Sequence, residues 1–426
     1  MLGGGTFTGQ NKILPGAYVN FVSAVRVTNN LSDRGVATMP VELDWGDDNK
    51  VIEVTQSDFV DKAVKLFGYE YASEKLSALR ELFRHATKAY IYKLTSGGEK
   101  ASNQYATARC SGVRGNDLTV TVANSVDDEG KYEVKLYLNS VPVDAQTVGS
   151  AAELADNDFV VWKKEAELVE TAGAKLEGGA NGAVTGASHQ NYLDAIESYT
   201  FNTMGTCTND DTTKALYAAF TKRMRDEAGI KIQCVLCQYA ADTEGIINVK
   251  NGTEAVPWVT GLEAACAVNA SCENTVYDGE LDIDTSYTQA QLESAIKSGE
   301  FVLHSVGAEI RVLEDINSLV TLTNDKNELF GCNQTIRVID QIAMDTAALF
   351  GSKYHGRIQN NESGRVSLWG DIVSNLKALE KLGAIENFSD QDVEVSAGAS
   401  KSGVSINVAV TVVNTMSQLY MTVTIQ

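Results

Sequence analysis

The sequence predicts an α+β multidomain protein with extended β arms at both ends. Three observations lead there. The hydrophobic period changes at "TSGGEK" (Thr95–Lys100) and again at "LEGGANGAVTGAS" (Leu176–Ser188), so a small β-rich module stands apart from its flanks. After the second change, helical and apolar strand patterns alternate, as in a layered α/β domain with a partly parallel sheet. Both termini are alternating and carry no helix caps.

The elements follow in order. "NKILPGAYVNF" (Asn11–Phe21) is a turn and then a strand, with Tyr18, Asn20 and Val22 on one side and Ala17, Val19 and Phe21 on the other. "GVATMPVELDWG" (Gly35–Gly46) is a second apolar run. "SDFVDKAVKLFG" predicts a helix capped by Ser57 and stopped near Gly68. "SEKLSALRELFRHA" aligns Leu76, Leu79 and Leu82 on a helical stripe, and "KAYIYKL" (Lys88–Leu94) is a buried strand. In the β-rich module, "DLTVTVAN" and "KYEVKLYLN" flank a turn at Asp127–Gly130, a hairpin signal. The glycine-rich loop closing that module reads as a hinge.

From His189 to about Thr323, helical "YLDAIESY", "DTTKALYAAFTKRMRDEAG", "PWVTGLEAACAVNA" and "TQAQLESAIKSG" alternate with strand "IKIQCVLCQY" and the strand pair "FVLHSV" and "EIRVLED". "TIRVIDQIAMDTAALFG" places Ile336, Ile339, Ala343, Ala347 and Phe350 on one helical face. "VSLWGDIVSNLKALEKLG" does the same with Ile372, Leu376 and Leu379, and Gly383 stands as its stop. Val404–Val413 and then "LYMTVTIQ", with Leu419, Met421, Val423 and Ile425 on one face, predict two consecutive strands, the second running to Gln426.

Composition and motifs exclude several function classes. Lys+Arg 35 against Asp+Glu 56 gives a net charge of −21, which disfavours the phosphate contacts of broad nucleic-acid binding. The surplus serves colloidal solubility or a charged assembly surface. No apolar run approaches the ~18 residues of a membrane span, and Met1–Gln10 lacks the apolar core of a secretory signal. The glycine loop has no Gly-Lys-Ser/Thr ending for phosphate. Cys234 and Cys237 lie three apart on a strand and point to opposite faces, so they cannot share a metal. Cys266 and Cys272 lack a histidine at zinc spacing, and the seven cysteines read as reduced thiols. His85, His189, His304 and His355 are isolated, and no serine sits in a G-x-S-x-G elbow. The acidic run Asp278–Tyr287 lacks the EF-hand pattern and reads as a solvated loop. No catalytic residue, cofactor or metal ligand is predicted. What remains is the pair of terminal strands, which need either each other or another chain.

At this point four stretches resemble the contractile phage tail sheath family of Gram-positive myophages, defective prophages and phage-tail-like bacteriocins. "ILPGAYVNF" resembles its N-terminal P-G-x-Y signature, with Leu14 where many sheaths carry Arg. "RGVATMPVELDWGDDNKVIEVT" resembles the segment after it. "LEGGANG" resembles the loop into its central domain. "YHGRIQNNESGRVSLWGDIVSNLKALEKLGAIENF" with "SINVAVTVVNTMSQLYMTVTI" resembles its C-terminal domain and closing strand.

The resemblance implies an arm over 1–22, a shared sheath domain split between 23–96 and 330–402, an inserted β-rich domain at 97–184, a central α/β domain at 185–329, and C-terminal strands and arm over 403–426. It implies a structural subunit, not an enzyme. Such subunits stack as hexameric rings in a helical sheath around an inner tail tube protein, between baseplate and tail terminator proteins. They contract without nucleotide hydrolysis to drive the tube through a cell envelope. The implied setting is a virion tail or phage-tail-like particle assembled in the bacterial host cytoplasm, with no direct nucleic-acid contact and no membrane insertion. Pro15, Gly16, Tyr18, Val19, Asn20, Phe21 and Val22 would form the N-terminal inter-subunit arm. Leu419, Tyr420, Met421, Thr422, Val423, Thr424 and Ile425 would form the C-terminal one. Arg365, Lys377 and Lys381 would contact the tube, a solvated helix face being the alternative. Gly3–Gly5, Asn29–Ser32 and Gly398–Gly403 would be flexible joints. The rival functions are an α/β hydrolase-like enzyme and a non-contractile filament or shell protein.

Overall fold

A computed structural model describes residues 34–425; the expected N-terminal arm, Pro15 to Val22, and the joints at Gly3–Gly5 and Asn29–Ser32 lie outside them. The first strand, β1 (Val36–Val41), pairs in parallel with β3 (Lys88–Lys93), and β2 (Val51–Thr55) pairs antiparallel with the other side of β3. Between them run α1 (Gln56–Phe67) and the short α2 (Ser77–Leu82). Thr55, two residues ahead of the expected Ser57, caps α1: its hydroxyl accepts from the Asp58 amide at 3.1 Å. Gly68 ends the helix in the left-handed region at φ 75°. Leu76, Leu79 and Leu82 are all buried, as their stripe predicts.

The β-rich module is a sandwich. Its strands are β4 (Ala106–Ala108), β5 (Leu118–Asn124), β6 (Tyr132–Leu138), β7 (Val141–Val148), β8 (Val160–Trp162) and β9 (Thr171–Lys175). Four form an antiparallel sheet in the order β7-β6-β5-β9, and β4 pairs with β8. The β5–β6 hairpin forms in the register that its turn predicts, Leu118 opposite Leu138 and Asn124 opposite Tyr132. Trp45, from the segment before the module, is buried in its core with its ring 6.1 Å from Phe159.

The glycine-rich return loop does not form a free hinge. It is zipped to the outgoing strand: the Glu99 amide donates to the Ala180 carbonyl at 2.9 Å, the Ala180 amide donates back at 3.1 Å, and the Gly182 amide donates to Thr95 at 3.0 Å. Glycine is required because the backbones nearly touch. A Cβ on Gly182 would lie 2.0 Å from the Ser96 carbonyl oxygen, and one on Gly98 2.0 Å from that of Ala180. Lys93 locks the joint from inside, its buried ammonium donating to the Gly46 and Ser111 carbonyls and to Asp48. Gly182→Ala is therefore expected to cost about 1–3 kcal/mol in urea denaturation. Gly173→Ala, where a Cβ would meet only the Thr119 methyl at 3.4 Å, is expected to stay within about 0.5 kcal/mol.

After the sandwich come α3 (Gly186–Ile196), β10 (Thr203–Gly205), α4 (Asp211–Asp226), β11 (Gln233–Cys237), β12 (Ile246–Val249), α5 (Val256–Ala265), α6 (Gln289–Lys297), β13 (Glu300–Phe301) and the hairpin β14 (Leu303–Val306) and β15 (Glu309–Val312). The expected division between 23–96 and 185–329 cuts through one sheet. Its order is β13-β12-β11-β10-β1-β3-β2, with Ala37 of β1 beside Thr203 of β10. Pro40, lacking an amide hydrogen, lies past the two residues of β1 that β10 pairs. The sheet is the middle of three layers. Tyr90, Tyr92, Met204, Cys234, Leu236 and Ile246 face α3 and α4. Ala37, Met39, Ala89, Val235, Cys237 and Ile247 face α1, α2 and α5. Cys234 and Cys237 thus point to opposite faces, as their spacing predicts, and burial raises both thiol pKa values.

The last segment leaves this body through α7 (Asn333–Leu349), a π-helical turn at Phe350–Tyr354 and α8 (Glu362–Leu382). Leu368, Ile372, Leu376 and Leu379 of α8 are buried, Gly383 stops it at φ 80°, and the Trp369 indole donates to the Val393 carbonyl at 3.0 Å. β16 (Ile385–Glu386) pairs with β19 (Thr411–Val412), and β17 (Val393–Ala397) with β18 (Val404–Val408), both antiparallel. Gly398–Gly403, expected as a joint, is the closed turn of the β17–β18 hairpin. Gly398 donates to Gly403 at 2.8 Å, and Asn360 holds the Lys401 and Gly403 carbonyls.

Candidate assembly interface

The root of α7 is buried by polar side chains. Asn333, Gln334, Thr335, Arg337, Asp340 and Gln341 are all buried, whereas of the expected apolar stripe only Ile336 is; Ala347 and Phe350 are exposed. The physical reason is that the first half of α7 is enclosed by the central body and its second half has left it. An apolar stripe would suit a helix lying on a surface, not one held on all sides. Arg225 of α4 grips Asp340 with two hydrogen bonds, 2.7 and 2.9 Å, and the Gln233 amide donates to Asn333 at 2.9 Å.

Arg337 is the centre of this root. Its Nη1 donates to Glu263 Oε2 at 2.6 Å, and its Nη2 to Asp315 Oδ2 at 2.5 Å and to the Ala270 carbonyl at 2.9 Å. Asp315 Oδ2 also accepts from the Cys272 amide at 2.9 Å. Glu263, Cys272 and Asp315 place ligand-type atoms within 4.8 Å of one another. Arg337 supplies the positive charge that such a group requires. Burial, then the neighbouring Asp315 carboxylate, pushes Glu263 well above the usual carboxylate range. Burial acts on Asp315 in the same direction, but the Arg337 charge and hydrogen bonds outweigh it and hold this group below its ordinary value. At pH values between the two folded pKa values the pair carries one negative charge against one guanidinium. Asp315 Oδ1, otherwise without a partner, is available to the Glu263 proton.

The C-terminal segment starts from the same helix. Gln334 uses both ends of its amide: Nε2 donates to the Val413 carbonyl at 3.2 Å and Oε1 accepts from the Thr415 amide at 3.0 Å. The Val413 amide donates to Ala384 at 3.0 Å. Beyond this clamp the expected strand over 419–425 does not form: residues 413–425 join no ladder among the described residues. A strand needs an edge to pair with, and none among the described residues takes this segment. Leu419, Tyr420, Met421, Val423 and Ile425 are exposed.

The three basic residues of α8 are not gathered. Arg365 sits near the helix start in a groove of about 490 Å³ with Tyr354, Arg357 and Lys401, and it donates to Asn360 at 3.1 Å. Lys377 pairs with Asp390 at 2.7 Å, and Lys381 lies one turn on, exposed. Arg365 is 12 residues, or about 18 Å, from Lys377. The acidic run Asp278–Tyr287 is pinned rather than free: Trp258 donates to Asp278 at 2.8 Å, and Arg80 Nε donates to Glu280 at 2.9 Å. His189 bonds the Tyr217 hydroxyl at 2.8 Å in the core, and His85 packs on Trp258 at 5.2 Å; burial lowers both pKa values. Sequence reasoning missed Arg337, Glu263 and Gln334. The available signal was a charge or amide inside an apolar helical run, "QTIRVIDQIA" and "VTGLEAACA".

A three-layer body with an inserted sandwich and a C-terminal helix-and-hairpin unit is the architecture of a tail sheath protein, and sequence similarity agrees. The chain belongs to the phage tail sheath family. Residues 34–94 match the tail sheath protein Gp18 domain III N-terminal region, 96–181 the sheath β-sandwich domain, 182–318 the central domain and 325–426 the C-terminal domain. The solved sheath tail protein from Desulfitobacterium hafniense is 35% identical, with TM-score 0.85 over 94% of this chain and 98% of that one. The phage-like element PBSX protein XkdK of Bacillus subtilis (strain 168) is 31% identical over 99% of both chains. The anti-feeding prophage helical sheath in its contracted state is 12% identical and shares the fold, with TM-score 0.57 over 97% and 99%.

Proposed function

We propose that this chain is the structural subunit of a contractile sheath. Copies polymerise as stacked hexameric rings in a helical array around an inner tail tube protein. The array meets baseplate and tail terminator proteins at its ends and shortens without nucleotide hydrolysis to drive the tube through a cell envelope. Assembly takes place in the bacterial host cytoplasm, and the product is a virion tail or phage-tail-like particle. One observation carries the reading. Leu419, Tyr420 and Ile425 are 86%, 88% and 93% exposed on an alternating segment that pairs with nothing among the described residues. Such a segment is a strand awaiting an edge, and a second copy supplies one by β-augmentation. Residues 419–425 then form the C-terminal arm, with Pro15 to Val22 as its N-terminal counterpart, and Arg365, Lys377 and Lys381 face the tube. Negative-stain images of the purified protein test this. Tubes or stacked rings are expected; a strictly monomeric protein at every concentration would overturn it.

A further inference from the structure

We propose that α5 and α7 form a bracket that fixes the points at which residues 34 and 413 join the body, with Gln334 and Arg337 as its positioning residues. The inference rests on the reading that the arms pair between subunits.

The bracket can be traced contact by contact. At its N-terminal side, Arg34 Nε donates to the Cys266 carbonyl at 2.7 Å and its Nη2 to the Glu263 carbonyl at 2.8 Å, while the Gly35 amide donates to Ala264 at 2.8 Å. These carbonyls belong to the last turn of α5, which has no intrahelical donors left, and a cation is favoured there. The side chain of the same Glu263 accepts from Arg337 of α7. One turn earlier on α7, Gln334 holds the Val413 carbonyl and the Thr415 amide, the donor-acceptor pair a neighbouring strand would hold, and Thr335 donates to Asn414 at 3.2 Å. Three links thus join residue 34 to residue 413: α5 end to Glu263 side chain, Glu263 to Arg337, and Gln334 to the C-terminal segment.

The three side chains at its centre are buried: Glu263, Arg337 and Gln334 are 0%, 1% and 2% exposed. A buried charged network adds little net stability over apolar packing; what this one supplies is a unique geometry. A polymer joined by two arms needs that geometry. An angular error between the two points of departure is repeated at every subunit and accumulates along the array. A loosely held pair would still exchange strands but would not close rings of one size.

The test uses the full-length chain with Gln334→Ala and, separately, Arg337→Lys, which keeps the charge but loses the two-pronged grip. Hydrogen exchange on unassembled protein reads the bracket without reference to polymers. The Thr415 amide is expected to exchange at least ~10-fold faster in Gln334→Ala. In Arg337→Lys, both Gly35 and Thr415 are expected to speed up while β11 and β12 do not. In electron micrographs, Gln334→Ala is expected to give tubes of variable diameter or short, open assemblies. Wild-type exchange at both positions in Arg337→Lys, or tubes of wild-type diameter and order from Gln334→Ala, would overturn the bracket while leaving arm pairing intact. Absence of tubes from the unaltered protein would instead strike the arm reading, and the exchange result would still decide on the bracket.

Discussion

Removing Leu419–Gln426 is expected to leave a folded, soluble subunit that forms no tubes. The segment joins no ladder among the described residues and its apolar side chains stand in water, so its loss takes almost nothing from the body. The change in unfolding free energy should stay within about 0.5 kcal/mol. In the proposed assembly, by contrast, each contact loses a whole paired strand. Thermal denaturation and sedimentation of the truncated protein separate the two effects. Unfolding on truncation would mean that 419–425 pairs within its own chain, and wild-type tubes would mean that it pairs with nothing.

Arg337→Met should have the largest effect on the subunit itself. It leaves Glu263 and Asp315 fully buried without their counter-charge, which costs about 3–5 kcal/mol in comparable pairs. Substituting all three, Glu263→Gln, Asp315→Asn and Arg337→Met, should recover much of the loss, because no buried charge then remains. The carboxylates behave differently with pH. Glu263 has a folded pKa above its ordinary 4.5, so over the interval between the two values the native state keeps a proton that the unfolded chain has released. Its contribution to stability is full below 4.5 and is lost as pH rises toward the folded value. Asp315 is depressed below its ordinary 3.8; its contribution is present above that value and lost as pH falls through the folded one. Glu263→Gln should therefore be tolerated near neutrality and should flatten the fall in stability above pH 4.5, as read from urea midpoints across pH. A slope unchanged by Glu263→Gln would remove the assigned protonation.

Local signals in the sequence translated well. The Asp-Asp-Glu-Gly turn specified the β5–β6 hairpin, Gly68 and Gly383 marked helix ends, and the i, i+3 spacing of Cys234 and Cys237 separated them across the sheet. What could not be read was partnership at long range. Nothing local in "GVATMPV" says that Ala37 lies beside Thr203. The glycines at 179 and 182 have the composition of a hinge, and only the opposing backbone shows them to be a close-packed seam. The proposed interface divides the same way. The exposed alternation at 419–425 was visible because it is a property of one segment. The Arg337 network was not, because a buried ion pair looks in sequence like a surface charge on each of its helices.

The position of β1 also sets the order in which the molecule can be completed during translation. It is the first of the described strands to be made, yet β10 reaches its open edge only after the whole sandwich has been synthesised, since Ala37 waits for Thr203. Meanwhile residues 97–181 can close their own hairpins, which are local and fast. Glu263 then stays without its counter-charge until Arg337 emerges. Residues 419–425 follow all of these. The partners that close the body are thus all synthesised before the segment proposed to pair between copies, so the order of translation favours folding ahead of that half of the proposed exchange.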